Sequence, residues 1–92
     1  IAYLYTFIGV LYKSMGNYEK ALEYYKKAIP INTQIKNEQG NAGIYNNIAF
    51  VYRLQGKYKN SLEYYLKSLR FFENAKSQKQ VSNVLNNIGS LY

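Results

Sequence analysis

The stretch Tyr52-Arg53-Leu54-Gln55-Gly56-Lys57-Tyr58-Lys59-Asn60-Ser61-Leu62-Glu63-Tyr64-Tyr65 decides the fold, because it has a near-copy forty residues upstream, Tyr12-x-x-x-Gly16-x-Tyr18-x-x-Ala21-Leu22-Glu23-Tyr24-Tyr25. At that offset twelve pairs are identical, from Ala2/Ala42 through Tyr25/Tyr65 and Lys27/Lys67 to Lys36/Lys76. Ordinary residue frequencies would give roughly two or three. A third copy opens at Asn86-Asn87-Ile88-Gly89, matching Asn46-Asn47-Ile48-Ala49, and sets Tyr92 against Tyr52. A fixed period of this size marks stacked supersecondary units, none of which buries its apolar face alone.

Within one period the pattern is helical. Leu4, Tyr5, Ile8, Leu11, Tyr12 and Met15 recur at three- and four-residue spacing, which predicts an amphipathic helix. Gly16 follows, able to take the left-handed conformation that ends a helix without Cβ strain. Asn17 is placed to cap the next helix, over which Tyr18, Ala21, Leu22, Tyr25, Ala28 and Ile29 keep the same spacing. Each unit is therefore a helical hairpin with a turn of about three residues. Pro30 interrupts the second helix, since it cannot donate to the Lys26 carbonyl and its ring crowds that turn. Two outcomes stay open there: a kinked helix running to about Lys36, or a helix that ends near Ile29 and restarts. Asn37 caps the third helix, which runs to about Gln55. The fourth spans about Tyr58 to Asn74, and the fifth begins near Lys79 behind a Ser77-x-x-Gln80 capping box.

The whole is expected to be all-α, an α-solenoid of two and a half repeats in five helices. Residues 1–92 form one domain, divided into repeat 1 (1–40), repeat 2 (41–80) and a partial third repeat (81–92). The chain begins without Met and starts and stops inside apolar patterns, as a piece of a longer array would.

Composition narrows the chemistry. There is no Cys, no His and no Asp, and the five acids are all Glu. This leaves no thiol nucleophile, no imidazole base and no side-chain set for a transition metal, so no catalysis, no cofactor and no metal are expected. Glu19 and Glu23 stand four apart on a helix, but Lys20, Lys26 and Lys27 beside them make a solvated charged face. Gly16 and Gly56 are isolated turn glycines, not a phosphate loop. The opening apolar run Ile1–Tyr12 is shorter than the ~20 residues that span a bilayer. It aligns with Asn41–Tyr52, so it is a repeat helix and not a targeting segment. Net charge is +7, spread over the repeats and not gathered into the run that marks a nucleic-acid patch.

The residues resemble the tetratricopeptide (TPR) family, whose pattern is W-x-x-L-G-x-x-Y…A-x-x-x-F. Here it appears as Tyr5-x-x-Ile8-Gly9-x-x-Tyr12…Ala21-x-x-x-Tyr25, then as Tyr45-x-x-Ile48-Ala49-x-x-Tyr52…Ser61-x-x-x-Tyr65, and begins again at Leu85-x-x-Ile88-Gly89-x-x-Tyr92. The forty-residue unit departs from the usual ~34. It looks like the long repeats of bacterial TPR signalling proteins and, less closely, those of kinesin light chains and spindle-orientation adaptors. The resemblance implies a right-handed superhelix in which the first helix of each repeat lines a concave groove.

Helical periodicity then selects the residues opposite the apolar stripe, which the resemblance implies face that groove. On the first helix they are Tyr3, Thr6, Val10 and Lys13; on the third, Gly43, Asn46, Phe50 and Arg53; on the fifth, Asn83, Asn86 and Ser90. Asn46 and Asn86, one repeat apart, each offer a donor and an acceptor to an extended peptide backbone. Lys13 and Arg53 form a row suited to an acidic group. Phe50, Val10 and Tyr3 supply apolar contact, and Asn83 a further carboxamide. Asn47 and Asn87 fall at the edge of the inward stripe and are expected to bond neighbouring helices. The expected partner is a protein or peptide of acidic character, bound within a signalling or adaptor protein. Self-association through uncapped terminal helices, or a spacer role, is the alternative. Nucleic-acid binding is a weaker one, because the tyrosines fall on the inward stripe.

Overall fold

The computed structural model describes residues 1–76 and 78–89. Five helices occur among them: α1 (Ala2–Ser14), α2 (Tyr18–Gln34), α3 (Glu38–Leu54), α4 (Tyr58–Asn74) and α5 (Gln78–Gly89). Each packs chiefly on its neighbours in sequence, α1 on α2, α2 on α3, α3 on α4 and α4 on α5. This is an all-α solenoid. Its smallest dimension is 18 Å, about two helix diameters, as a two-layer stack requires.

The turns set a period finer than the repeat. Residues with positive φ stand at Gly16 (78°), Lys36 (61°), Gly56 (77°) and Lys76 (56°), twenty residues apart. The first three turns close alike. The Gly16 N–H donates to the Lys13 carbonyl and the Asn17 N–H to that of Tyr12, both at 2.9 Å, and the same pairs recur at Lys36/Asn37 and Gly56/Lys57. This is the Schellman motif. Gly16 and Gly56 adopt the left-handed conformation freely, whereas Lys36 and Lys76 take it against its Cβ penalty. Asn17 accepts from the Lys20 N–H and Asn37 from the Gly40 N–H. The Ser77 capping box lies outside the described residues.

Of the two outcomes open at Pro30, the helix continues: α2 runs through it to Gln34. Buried Ala28 and Asn32, with Ile29 and Ile31 packed on the core, hold the segment in place. The Thr33 hydroxyl also donates to the Ile29 carbonyl at 2.9 Å.

The core follows the predicted stripe on α3, where Ile44, Ile48, Ala49, Val51 and Tyr52 are buried and Tyr45 half-buried. Ala21, Tyr25 and Ala28 of α2 complete the first cluster; Tyr65, Phe72 and Val84 form the second with Ala42 and Ala49. Two tyrosine trios repeat across the hairpins. Tyr24 lies 6.0 and 5.6 Å from Tyr5 and Tyr12, and Tyr64 lies 5.9 and 5.7 Å from Tyr45 and Tyr52. The stripe is narrower than its periodicity suggests at two places. Leu4, Leu11 and Met15 of α1 and Leu85 of α5 are exposed, because they lie along outer edges on which no helix of the described residues packs. Leu62 is only half-buried.

Candidate functional site

One open groove runs along the same face of α1, α3 and α5. Its first part is a cavity of about 910 Å³ between α1, the end of α2 and the start of α3. Tyr3, Phe7 and Val10 form one wall, Ile31 and Ile35 the end, and Gly43, Ile44 and Asn47 the floor. Its second part, about 450 Å³, lies between α3 and α5 and is amide-lined by Asn37, Gln39, Asn46, Gln80 and Asn83. The two parts meet at Asn37, Gly40 and Gly43.

Glycine makes that meeting possible. Gly43 stands one period from Tyr3 and one from Asn83, and a Cβ there would touch nothing within 4 Å. The missing side chain leaves the groove floor open. Gly40 serves differently: a Cβ would fall 2.6 Å from Asn37 Nδ2 and 2.8 Å from Asn32 Nδ2. Those amides knit the second turn, with Asn37 Nδ2 donating to Asn32 Oδ1 at 3.4 Å and Asn41 Nδ2 to Thr33 Oγ1 at 3.0 Å.

A basic cluster closes the opposite end. Lys13 Nζ lies 4.9 Å from the Phe50 ring centroid, and Arg53 Cζ lies 4.6 Å from it. Two cations from successive repeats thus share one aromatic ring, whose electron-rich face attracts each. Arg53 also acts on the buried Tyr65. Burial raises the Tyr65 pKa above its ordinary value, and the charge of the nearby guanidinium draws it partly back.

The residues selected from sequence therefore fall into three groups. Tyr3 and Val10 line the apolar cavity, Asn46 and Asn83 the amide-lined part, and Lys13, Phe50 and Arg53 the basic cluster. Asn86 is exposed and lines neither cavity, and Ser90 lies outside the described residues. Asn87 Nδ2 donates to Asn46 Oδ1 at 3.3 Å, so the expected tie from Asn87 to a neighbouring helix forms, and it takes up one side of the Asn46 carboxamide. Asn47, expected to tie helices, instead lines the apolar cavity. Phe7, Ile31, Ile35 and Gln39 were not singled out from sequence as groove residues, and Gln80 only as part of a capping box. The continued spacing of Ile31 and Ile35 beyond Pro30 was the available signal.

Comparison with known proteins agrees with this architecture. Family models described as tetratricopeptide repeat match residues 2–33 and 40–92. The chain belongs to the tetratricopeptide repeat family. TPR units act as protein–protein interaction scaffolds, typically without catalysis of their own. A crystal structure of BtubC (BKLC) from P. vanneervenii is similar, with 29% sequence identity and a TM-score of 0.87 over 99% of this chain. The match spans 37% of that chain's length. No curated protein matches. No helix among the described residues is long and apolar enough to cross a membrane.

The forty-residue unit is also explained. Its α2, α3 and α4 are each 17 residues long, separated by three-residue turns. A TPR unit of ~34 with the same turns has room for helices of about 14. The six extra residues lengthen each helix by three, somewhat less than one turn.

Proposed function

We propose that the chain is a recognition segment of a larger adaptor or signalling protein and binds an extended segment of a partner protein in the groove of α1, α3 and α5. The observation that carries this reading is the continuity of that groove through Gly43. An apolar side chain of the partner enters the cavity walled by Tyr3, Phe7 and Val10. Its backbone crosses Gly43 to the carboxamides of Asn46 and Asn83, which both donate and accept. An acidic group toward the other end faces Lys13 and Arg53. Gly43→Leu tests the proposal, because the new side chain fills open space while raising helix propensity. Peptides selected on the wild-type chain from a random library should lose binding to Gly43→Leu, whose thermal stability is unchanged or higher. Equal binding would overturn the reading.

Self-association is the second reading, favoured by the exposed stripe Leu4, Leu11 and Met15 along α1. Sedimentation across a concentration series should show a dimer that Leu4→Glu with Leu11→Glu abolishes. A monomer at every concentration would remove this reading.

A further inference from the structure

The opposite side of the solenoid carries a second assembly. On α3, Tyr45 lies two residues from Gly43 and therefore faces away from the groove. There α2, α3 and α4 converge on the second tyrosine trio, and three lysines from three different segments reach it. Lys26 of α2 donates to the Tyr52 hydroxyl at 3.2 Å. Lys57, in the turn before α4, has its Nζ 5.9 Å from the Tyr52 centroid. Lys67 of α4 has its Nζ 4.7 Å from the Tyr64 centroid and 5.6 Å from that of Tyr45. All three lysines are exposed, and none takes part in an ion pair among the described residues. Lys27, over Tyr24 of the first hairpin, is instead paired with Glu23 at 3.8 Å.

The furrow continues past Tyr45 into a cavity of about 790 Å³ bordered by Thr33, Asn41, Phe71 and Asn74. Lys36 and Glu38 stand at that far end, whereas Lys26, Lys57 and Lys67 gather at the other, where Glu63 stands one helical turn from Lys67 without forming an ion pair with it. Lys57 carries a further indication. It occupies the N-cap of α4, where Asn17 and Asn37 cap α2 and α3, and it leaves that helix without a side-chain cap. A lysine has no acceptor to offer there, so the position favours a cation at the expense of α4.

We propose that this furrow is a second docking surface, independent of the groove, for an acidic segment of a partner protein. Complementary charge selects the occupant. Several carboxylates in succession meet three ammonium groups whose stems are packed on aromatic rings, and half-buried Tyr45 and Tyr64 add phenolic donors. Isolated exposed ion pairs contribute little, so a run of carboxylates is required, and binding weakens with salt. A single-stranded nucleic acid fits less well. It needs ring faces on which bases stack, whereas these rings lie against one another and beneath lysines.

The probe is a fluorescent oligoglutamate peptide, titrated by anisotropy against the chain at near-physiological salt. Lys26→Glu with Lys67→Glu should weaken binding by at least about tenfold. Lys20→Glu with Lys79→Glu, the same change in net charge away from the furrow, should weaken it by less than about threefold. Circular dichroism establishes that each variant is folded. Should the furrow variant unfold, amide-shift mapping on the wild-type chain decides, with movement expected at Tyr45, Tyr64 and Lys67 and none at Gly43 or Asn46. Equal losses in the two variants, shifts confined to the groove, or a thymidine oligonucleotide of matched charge binding more tightly through the same lysines would each overturn the proposal.

Discussion

The side-chain amide of Asn87 donates to the Oδ1 of Asn46 at 3.3 Å, joining α5 to α3 beside the amide-lined part of the groove. Asn46 therefore does two things at once, lining the amide-rich cleft and tying successive repeats. The two roles separate by mutation. Asn46→Ala should abolish peptide binding in the groove, whereas Asn87→Ala removes only the tie and should cost about 1 kcal/mol, as for a typical hydrogen bond. Urea denaturation and peptide titration of both variants check this. Equal loss of affinity in the two would mean that Asn46 acts only through the tie.

The left-handed turns offer an asymmetric prediction. Lys36 and Lys76 occupy the conformation that Gly16 and Gly56 occupy one half-repeat away. Lys36→Gly should stabilise the chain by about 0.5–1 kcal/mol, the relief of Cβ strain exceeding the entropy that glycine loses on folding. Gly16→Ala, with φ at 78°, should destabilise by about 1 kcal/mol although its Cβ would meet nothing. Thermal midpoints of the two variants should move in opposite directions.

Pro30 lies inside α2, where Arg70 stands one period later. Restoring the donor with Pro30→Arg should stabilise by about 1–3 kcal/mol, since proline in a helix interior costs ~3 kcal/mol and packing has already absorbed part of the distortion. Hydrogen exchange should slow at the amides of the following turn. No change in stability would indicate that α2 is bent to fit Pro30 and that Arg cannot recover the bond.

The two aliphatics that sequence periodicity treats alike separate in the structure. Ile48 is fully buried and Leu62 half-buried. Ile48→Ala should cost about 2–5 kcal/mol. Leu62→Ala should cost less, because its side chain already meets solvent on one side. The denaturation midpoints rank them, and the reverse order would place the core nearer α4.

The same contrast explains what the sequence made legible. Turn positions and caps require particular side chains, so Gly16, Gly56, Asn17 and Asn37 announce themselves. Lys36 and Lys76 do not, because lysine carries no signal for a left-handed backbone; only the twenty-residue spacing from the glycines implied it. Helical periodicity placed Tyr3, Val10, Asn46 and Asn83 on the groove face because that face belongs to single helices. The apolar cavity is different. Ile31 and Ile35 come from the end of α2 and share a cavity with Phe7 of α1, a meeting of different helices that the periodicity of each one alone does not describe. Asn47 sits at a stripe edge, where periodicity does not separate groove from core.

Tyr25 gives the chain a pH limit. Its side chain is fully buried, its hydroxyl has no hydrogen-bond partner among the described residues, and burial pushes its pKa from 10.0 up to about 12. The folded state thus holds the phenolic proton over a range in which the unfolded chain releases it. Stability from this group is complete below about pH 10 and is lost as pH rises toward about 12. Tyr25→Phe removes the ionisation and the unsatisfied hydroxyl together. The ring contact with Gly9 stays, where a Cβ on Gly9 would fall 2.6 Å from Tyr25 Cε1. Near neutral pH the variant should be as stable as the parent or more stable by about 1 kcal/mol, because a buried orphan hydroxyl is itself costly. Above about pH 10 its advantage should widen with each step in pH. Urea titrations at pH 7 and at successively alkaline values measure both. A parallel decline in the two proteins would assign the alkaline loss to the other tyrosines and lysines.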